Sequence, residues 1–146
     1  MVLATVLLTL GLDQLTKFIV VRNFSLHDSF SLINGVMSIT LVHNRGAAFG
    51  IFKNQFFLFV FISLLTVILI YFILRNNKGS KLFSFSLSLI LGGALGNLID
   101  RIFLGYVVDF LDFHIWPVFN IADSAITFGT LILGWLIFKP VCKNAS

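Results

Sequence analysis

The sequence predicts an all-α membrane bundle of four transmembrane helices, carrying a small β-hairpin or sheet subdomain outside the membrane. Three observations lead there. Of 146 residues, 58% are hydrophobic and only 11% are charged, whereas a soluble domain runs to about 45–50% apolar and about 25% charged. The mean hydropathy is +1.03, more apolar surface than a soluble core could hide, so much of the chain must face lipid. The apolar residues also fall into four runs of roughly 20 residues, the length a bilayer demands. Four such runs nearly exhaust the chain, so residues 1–146 are expected to form a single polytopic membrane domain.

The first span covers about 2–21. Its opening, Val2 to Leu12, has the look of a signal-peptide core, but it lacks a basic leader and a small-residue cleavage site. It runs on through Asp13-Gln14-Leu15-Thr16-Lys17 into Phe18 to Val21. A β segment over about 24–52 follows. Ser29 to Ile33 and Val36 to Val42 read as two strands about Asn34-Gly35, a pair suited to the two positive-φ positions of a type I′ turn. Ser38 and Thr40 alternate with Met37, Ile39 and Leu41, giving the second strand one apolar face. A sheet of this kind lying on a membrane suits the docking of an extended peptide.

The second span, about 55–74, contains no charge. The third covers about 82–99 and the fourth about 118–138, with Pro140 placed as a helix stop. Arg75, Lys78, Lys81, Lys139 and Lys143 lie in the short connections with no acid among them, which puts those connections on the cytoplasmic side. Both termini are then cytoplasmic, and Asn23 to Asn54 and Arg101 to Pro117 face outward.

The net charge of +4 does not indicate a nucleic-acid partner, because the basic residues flank apolar runs and do not cluster on one face. Cys142 is the sole cysteine, which excludes an intrachain disulfide and a cysteine-based metal site. The histidines His27, His43 and His114 are scattered, so no metal-ligand cluster and no Ser–His pair can be singled out. GxSxG, HExxH and Walker patterns are absent. No metal or cofactor is expected.

Ionisable groups within lipid are costly, about 2.5–3.5 kcal/mol each on insertion scales, and so demand pairing or a function. Asp13 and Lys17, four apart, share a helix face and can neutralise each other. Gly92 and Gly96 make a GxxxG step that lets another helix approach, and Asn97 and Asp100 follow on one face. Asp100 beside Arg101 is open to a second interpretation as a helix-end ion pair. Asp109 lies in an apolar, aromatic outer segment, Gly105 to Pro117, suited to the membrane interface. Asn120, Asp123 and Ser124 open the fourth span, where they are equally suited to capping the helix. Asp109 and Asp123 thus stand at one depth on adjacent outer elements. Two carboxylates held together share one proton, so that one serves as base toward water and the other as acid toward a carbonyl.

Five motifs in order, Asp13 to Lys17, Asn44-Arg45-Gly46-Ala47-Ala48-Phe49-Gly50, Gly96 to Arg101, Val107 to Phe110 and Phe119 to Ser124, resemble the lipoprotein signal peptidase (signal peptidase II) family over essentially the whole chain. The resemblance implies an intramembrane aspartic endopeptidase of the bacterial cytoplasmic (inner) membrane, monomeric, with its active site near the extracytoplasmic face. Its partners would be membrane lipids and prolipoproteins carrying a diacylglyceryl cysteine, cut on the amino side of that cysteine. By motif, Asp109 and Asp123 resemble the catalytic dyad; Asn44, Asn97, Arg101 and Asn120 resemble its polar shell; Asp13, Lys17 and Asp100 resemble supporting residues. The stretch between Asp109 and Asp123 is a few residues shorter than the family's pattern. The rival expectation is a small proton-coupled membrane carrier, which would string its acids along a path across the bilayer.

Overall fold

The computed structural model describes residues 1–46, 55–76 and 79–139. Ala47 to Gly50 of the second motif, the end of the expected β segment, Lys78, Pro140, Cys142 and Lys143 lie outside them. The elements run α1 (Val2–Asn23), β1 (Ser29–Ile33), β2 (Met37–Asn44), α2 (Phe56–Asn76), α3 (Lys81–Leu104), β3 (Val107–Asp112) and α4 (Ile121–Phe138). All four helices are long and apolar enough to cross a membrane.

The helices are arranged inside out relative to a soluble bundle. In α1 the buried residues Val6, Thr9, Asp13, Lys17 and Val20 recur at helical spacing, so they form one stripe facing inward, and it is partly polar. Leu3, Leu7, Leu8, Leu15 and Phe18 are exposed on the other faces. In α2 Ile70 alone is buried; this helix is peripheral and presents most of its surface to lipid. The central element is α3, which packs against α1, α2 and α4. Val6, Ile70, Leu87, Ile90 and Leu91 form an apolar core that joins α1, α2 and α3.

Small residues make these approaches possible. A Cβ on Gly92 would come within 2.8 Å of Thr9 Cβ, and one on Gly96 would collide with the Asp13 carboxylate, so the GxxxG step receives α1. Gly93 and Gly129 serve the α3–α4 contact in the same way, facing Ala122 O and Ser86 O respectively. Ser80 caps the start of α3, accepting from Phe83 N. Gly105, left-handed at φ 80°, closes its end with an N–H bond to Arg101 O.

This end lies beyond the expected limit at about Ile99, so Asp100 and Arg101 both belong to the helix, and the outer segment expected from Arg101 begins only after Leu104. They stay helical because their side chains find partners on neighbouring elements, described below. The fourth helix starts at Ile121, not at Val118; Phe119 is spent on a bridge to Leu111.

The expected hairpin is present, but as part of a three-stranded antiparallel sheet of order β1-β2-β3. The segment Val107–Asp112, expected as an interfacial loop, is its third strand. The hairpin turn also departs from type I′: Gly35 has φ 73° but Asn34 does not have positive φ. The pairing Ile33↔Met37 encloses three residues and follows an irregularity after Ser31, so one left-handed glycine suffices where a two-residue loop needs two such positions. A bulge between Ile39 and Val42 of β2 breaks strict alternation along that strand. Ser38 and Leu41 are consequently both buried. Leu41, Val108, Phe110 and Val20 form a second core that seats the sheet on the end of α1.

Candidate active site

β3 is buried on both faces from Val107 to Phe110. Alternation sends Val108 and Phe110 into the second core, so Asp109 must point the other way. There it is 1% exposed and accepts hydrogen bonds from Asn44 Nδ2 at 2.8 Å and Asn120 Nδ2 at 2.7 Å. Asn44 is placed at the end of β2, opposite Val107.

Asn120 caps α4 by accepting from Asp123 N at 2.8 Å, and the Asp123 carboxylate reaches back to Asn120 N at 3.4 Å, completing a capping box. The capping expectation therefore holds, and the same geometry presents Asp123 to the cleft. Asp123 Oδ1 also accepts from Asn97 Nδ2 of α3 at 2.7 Å. Asn120, fully buried, binds the Asp109 side chain and the Asp123 backbone at once.

Asp109 and Asp123 line one cleft of about 260 Å³. Asn44 and Arg101 complete its polar side; Phe59, Trp116, Pro117, Val118 and Phe119 form an apolar, aromatic wall. The Arg101 guanidinium lies 5.4 Å from the Phe59 ring centroid and donates to Ser63 Oγ and Asn97 O at 3.4 Å, tying α2 to α3 beside the acids. Burial pushes the Asp109 carboxyl up to about 7, and the Asp123 charge adds to the rise; hydrogen bonds from Asn44 and Asn120 and the charge of Lys17 oppose it.

Beneath the cleft lies a buried charge cluster. Lys17 Nζ is 2.8 Å from both Asp13 Oδ2 and Asp100 Oδ2, so the expected Asp13–Lys17 pair is one half of a three-member group. Asp100 pairs with Lys17 and accepts from Val108 N at 3.0 Å, which displaces its reading as a helix-end partner of Arg101. Asp13 Oδ1 accepts from Ala122 N at 2.9 Å, anchoring the first turn of α4. Gln14, quoted in a motif but given no role from the sequence, donates to Asp100 Oδ1 at 3.0 Å and to Asp13 Oδ2 and Gly96 O at 3.2 Å. No buried side-chain N or O lacks a partner among the described residues, as a charge cluster in an apolar setting requires. All nine residues singled out from the sequence thus fall in the cleft or in the cluster beneath it.

Two features escaped the sequence. Trp116 and Pro117 of the cleft wall belong to the aromatic outer segment expected from the sequence, but the place of Phe59 of α2 in that wall has no local signature. A Ser–His–Asp array also forms on the sheet: Ser38 Oγ is 3.3 Å from His114 Nε2, and His114 Nδ1 is 3.4 Å from Asp112 Oδ1. Ser38 is only 4% exposed and is not among the described residues that line the cleft. The array fastens the strand ends to the connection that carries Trp116 and Pro117 into the cleft. Among the described residues no group of three or more His, Cys, Asp or Glu is arranged to hold a metal ion.

Fold and site together define a multi-pass membrane protein with an acidic cleft where α3 ends and α4 begins. The family model described as signal peptidase (SPase) II matches residues 5–139, and the chain belongs to that family of peptidases. It is 49% identical over 135 residues to a lipoprotein signal peptidase of Moorella thermoacetica, spanning 92% of this chain and 90% of the relative. To the lipoprotein signal peptidase of Halothermothrix orenii it is 45% identical, spanning 91% and 92%. A solved bacterial membrane enzyme superposes with a TM-score of 0.92 at 32% identity, covering 98% of this chain and 90% of the other. A second reaches 0.86 at 34% identity, covering 94% and 92%.

Proposed function

We propose that this chain is an aspartic endopeptidase of the bacterial inner membrane that removes signal peptides from diacylglyceryl-modified prolipoproteins, cutting on the amino side of the modified cysteine. The observation that carries this reading is the convergence of Asp109 and Asp123 on one cleft, with Asn120 bonded to both residues. It is supported by membership in the signal peptidase II family and by the relatives' names.

In this mechanism the pair shares one proton; with that proton on Asp109, Asp123 is the base. Asp123 takes a proton from water as the water oxygen attacks the scissile carbonyl; Asp109 gives its proton to the carbonyl oxygen. The resulting diol collapses as Asp109 recovers a proton from it and Asp123 protonates the leaving nitrogen. Asn44, Asn97 and Asn120 hold the carboxylates in place, and Arg101 and the aromatic wall line the path of the substrate backbone. The acyl chains remain in the bilayer throughout.

We place both termini and the connection from Arg75 to Lys81 in the cytoplasm, and the sheet and cleft outside. The basic residues of the connections support this orientation. The chain acts as a monomer and as one polytopic unit. The carrier alternative is disfavoured by where the ionisable groups lie: Asp13, Lys17, Asp100, Asp109 and Asp123 gather around the cleft, whereas the buried polar residues toward the other end of α1 and α3, Thr9, Ser86 and Ser88, carry no ionisable group.

Asp109→Asn and Asp123→Asn should each reduce cleavage of a lipid-modified prolipoprotein by about 10²–10⁴-fold while the protein remains folded. The amide is nearly isosteric but cannot exchange the proton. Near-normal cleavage by either variant removes the dyad assignment.

A further inference from the structure

The chain between β3 and α4 bends sharply at one residue. Its base is closed by backbone bonds between Leu111 and Phe119 and by the stacking of Phe113 on Phe119, with ring centroids 5.8 Å apart. Between these ends the chain must arch outward and return, because Trp116, Pro117 and Val118 line the cleft. The arch begins at His114, which has φ 62°. Ile115 N donates to Phe113 O at 2.7 Å, so His114 is the centre of a three-residue γ-turn of positive φ, the rarer and more strained form. Glycine occupies such a position without the steric cost that a side chain brings. A histidine placed there indicates that its ring makes contacts that offset the strain.

The ring ties the arch to the sheet. Nε2 lies 3.3 Å from Ser38 Oγ of β2, and Nδ1 lies 3.4 Å from Asp112 Oδ1 of β3. That same Asp112 oxygen accepts from His114 N at 2.8 Å, and the other accepts from Thr40 Oγ1 at 3.0 Å. Thr40 Oγ1 is in turn 2.9 Å from Ser29 Oγ, so all three strands hold the group that receives the ring. Ser38 stands opposite Asp112 in the ladder and is buried, which makes it a firm anchor.

We propose that His114 is a positioning residue for substrate binding: its ring, held by Ser38 and Asp112, sets the bend that places Trp116 and Pro117 on the cleft wall. The proposal rests on the reading of this cleft as the peptidase site. None of Ser38, Asp112 and His114 is among the described residues that line the cleft. Asp109 and Asp123 are held instead by Asn44, Asn97 and Asn120. Loss of the ring therefore weakens the grip of the wall on the substrate and spares the reacting groups.

The test is steady-state cleavage of a lipid-modified prolipoprotein by purified protein in detergent. His114→Gly keeps the turn without steric cost and removes the ring. KM should rise about 3–10-fold, the scale of one or two lost hydrogen bonds, with kcat within about twofold of the native value. Ser38→Ala removes the anchor of the ring and should raise KM as well. In the double variant the two losses should not add, because both break one tie. Trp116→Ala should also raise KM, and adding His114→Gly to it should cost little more. In a Trp135→Phe background Trp116 is the sole tryptophan, and the quenching of its emission by acrylamide should shift when His114→Gly is added. Unchanged KM in His114→Gly overturns the proposal, since glycine then serves the turn as well as histidine does. A loss confined to kcat, effects that add to those of Ser38→Ala or Trp116→Ala, unmoved quenching, or failure of His114→Gly to fold also overturns it. If the native protein does not cleave the prolipoprotein, or Asp109→Asn cleaves it normally, the proposed function fails; if the native protein cleaves, Asp109→Asn does not, and His114→Gly leaves KM unmoved, only the positioning role fails.

Discussion

Replacing Asp109 by Asn should make the protein gain in stability relative to the native protein as the pH rises, at the same time as it lowers cleavage about 10²–10⁴-fold. The carboxyl titrates at about 7 in the folded protein, against an ordinary value of 3.8. A carboxyl raised on folding binds its proton more tightly in the native state, so its stabilising contribution is complete below the lower value. It is lost as pH rises from there through about 7, and above that the native state carries a buried charge beside a second acid. The span of about three units corresponds to about 4 kcal/mol at 1.36 kcal/mol per unit. The substituted side chain carries no charge at any pH, but its NH₂ opposes that of Asn44, a fixed cost of about 1 kcal/mol. The difference between two pH values removes the fixed cost. Between pH 5 and pH 8 the Asp109→Asn variant should gain about 2–3 kcal/mol on the native protein. Equilibrium unfolding in mixed micelles of mild detergent and SDS measures this at each pH. Parallel stability curves for the two proteins over that range would refute a buried, raised Asp109 and the mechanism that gives it the proton.

Close packing of α3 against α1 makes a second prediction: Gly96→Ala drives a methyl into the Asp13 carboxylate and should destabilise by about 1–3 kcal/mol. Gly134→Ala, with nothing within 4 Å, should be neutral or stabilising by up to about 1 kcal/mol; equal melting temperatures for the two variants would contradict the packing. Treatment with EDTA and 1,10-phenanthroline should leave cleavage intact, because among the described residues the cleft offers two carboxylates but no histidine or cysteine to complete a zinc site; loss of activity restored by one added metal would replace shared-proton chemistry with metal-activated water. In a variant lacking Cys142, a cysteine at Ser31 should react with an impermeant thiol reagent in cells with a permeabilised outer membrane, and one at Arg75 should not; the opposite pattern reverses the proposed orientation.

The bundle was legible from sequence because lipid imposes a single requirement, about 20 apolar residues per span, and four runs meet it without ambiguity. The polar motifs were legible for the converse reason. Ionisable groups in such a chain are too costly to be incidental, and Asp13, Lys17, Asn97, Asp100, Asp109, Asn120 and Asp123 do come together. Composition and spacing could not show who partners whom. Asp100 sits beside Arg101 in sequence, yet successive helical side chains point about 100° apart, and it is Lys17, on another helix, that meets it. Asp109 lies in a segment whose apolar run suits a strand and an interfacial loop equally; only pairing with β2, across more than sixty residues of chain, decides for the strand. Sequence by itself determined which residues must be buried and paired, since desolvation cost is a property of each side chain. Tertiary structure alone decided which carboxylates share a cleft and which way each carboxamide faces, because hydrogen-bond direction depends on neighbours brought together by packing of α1, α3, β3 and α4.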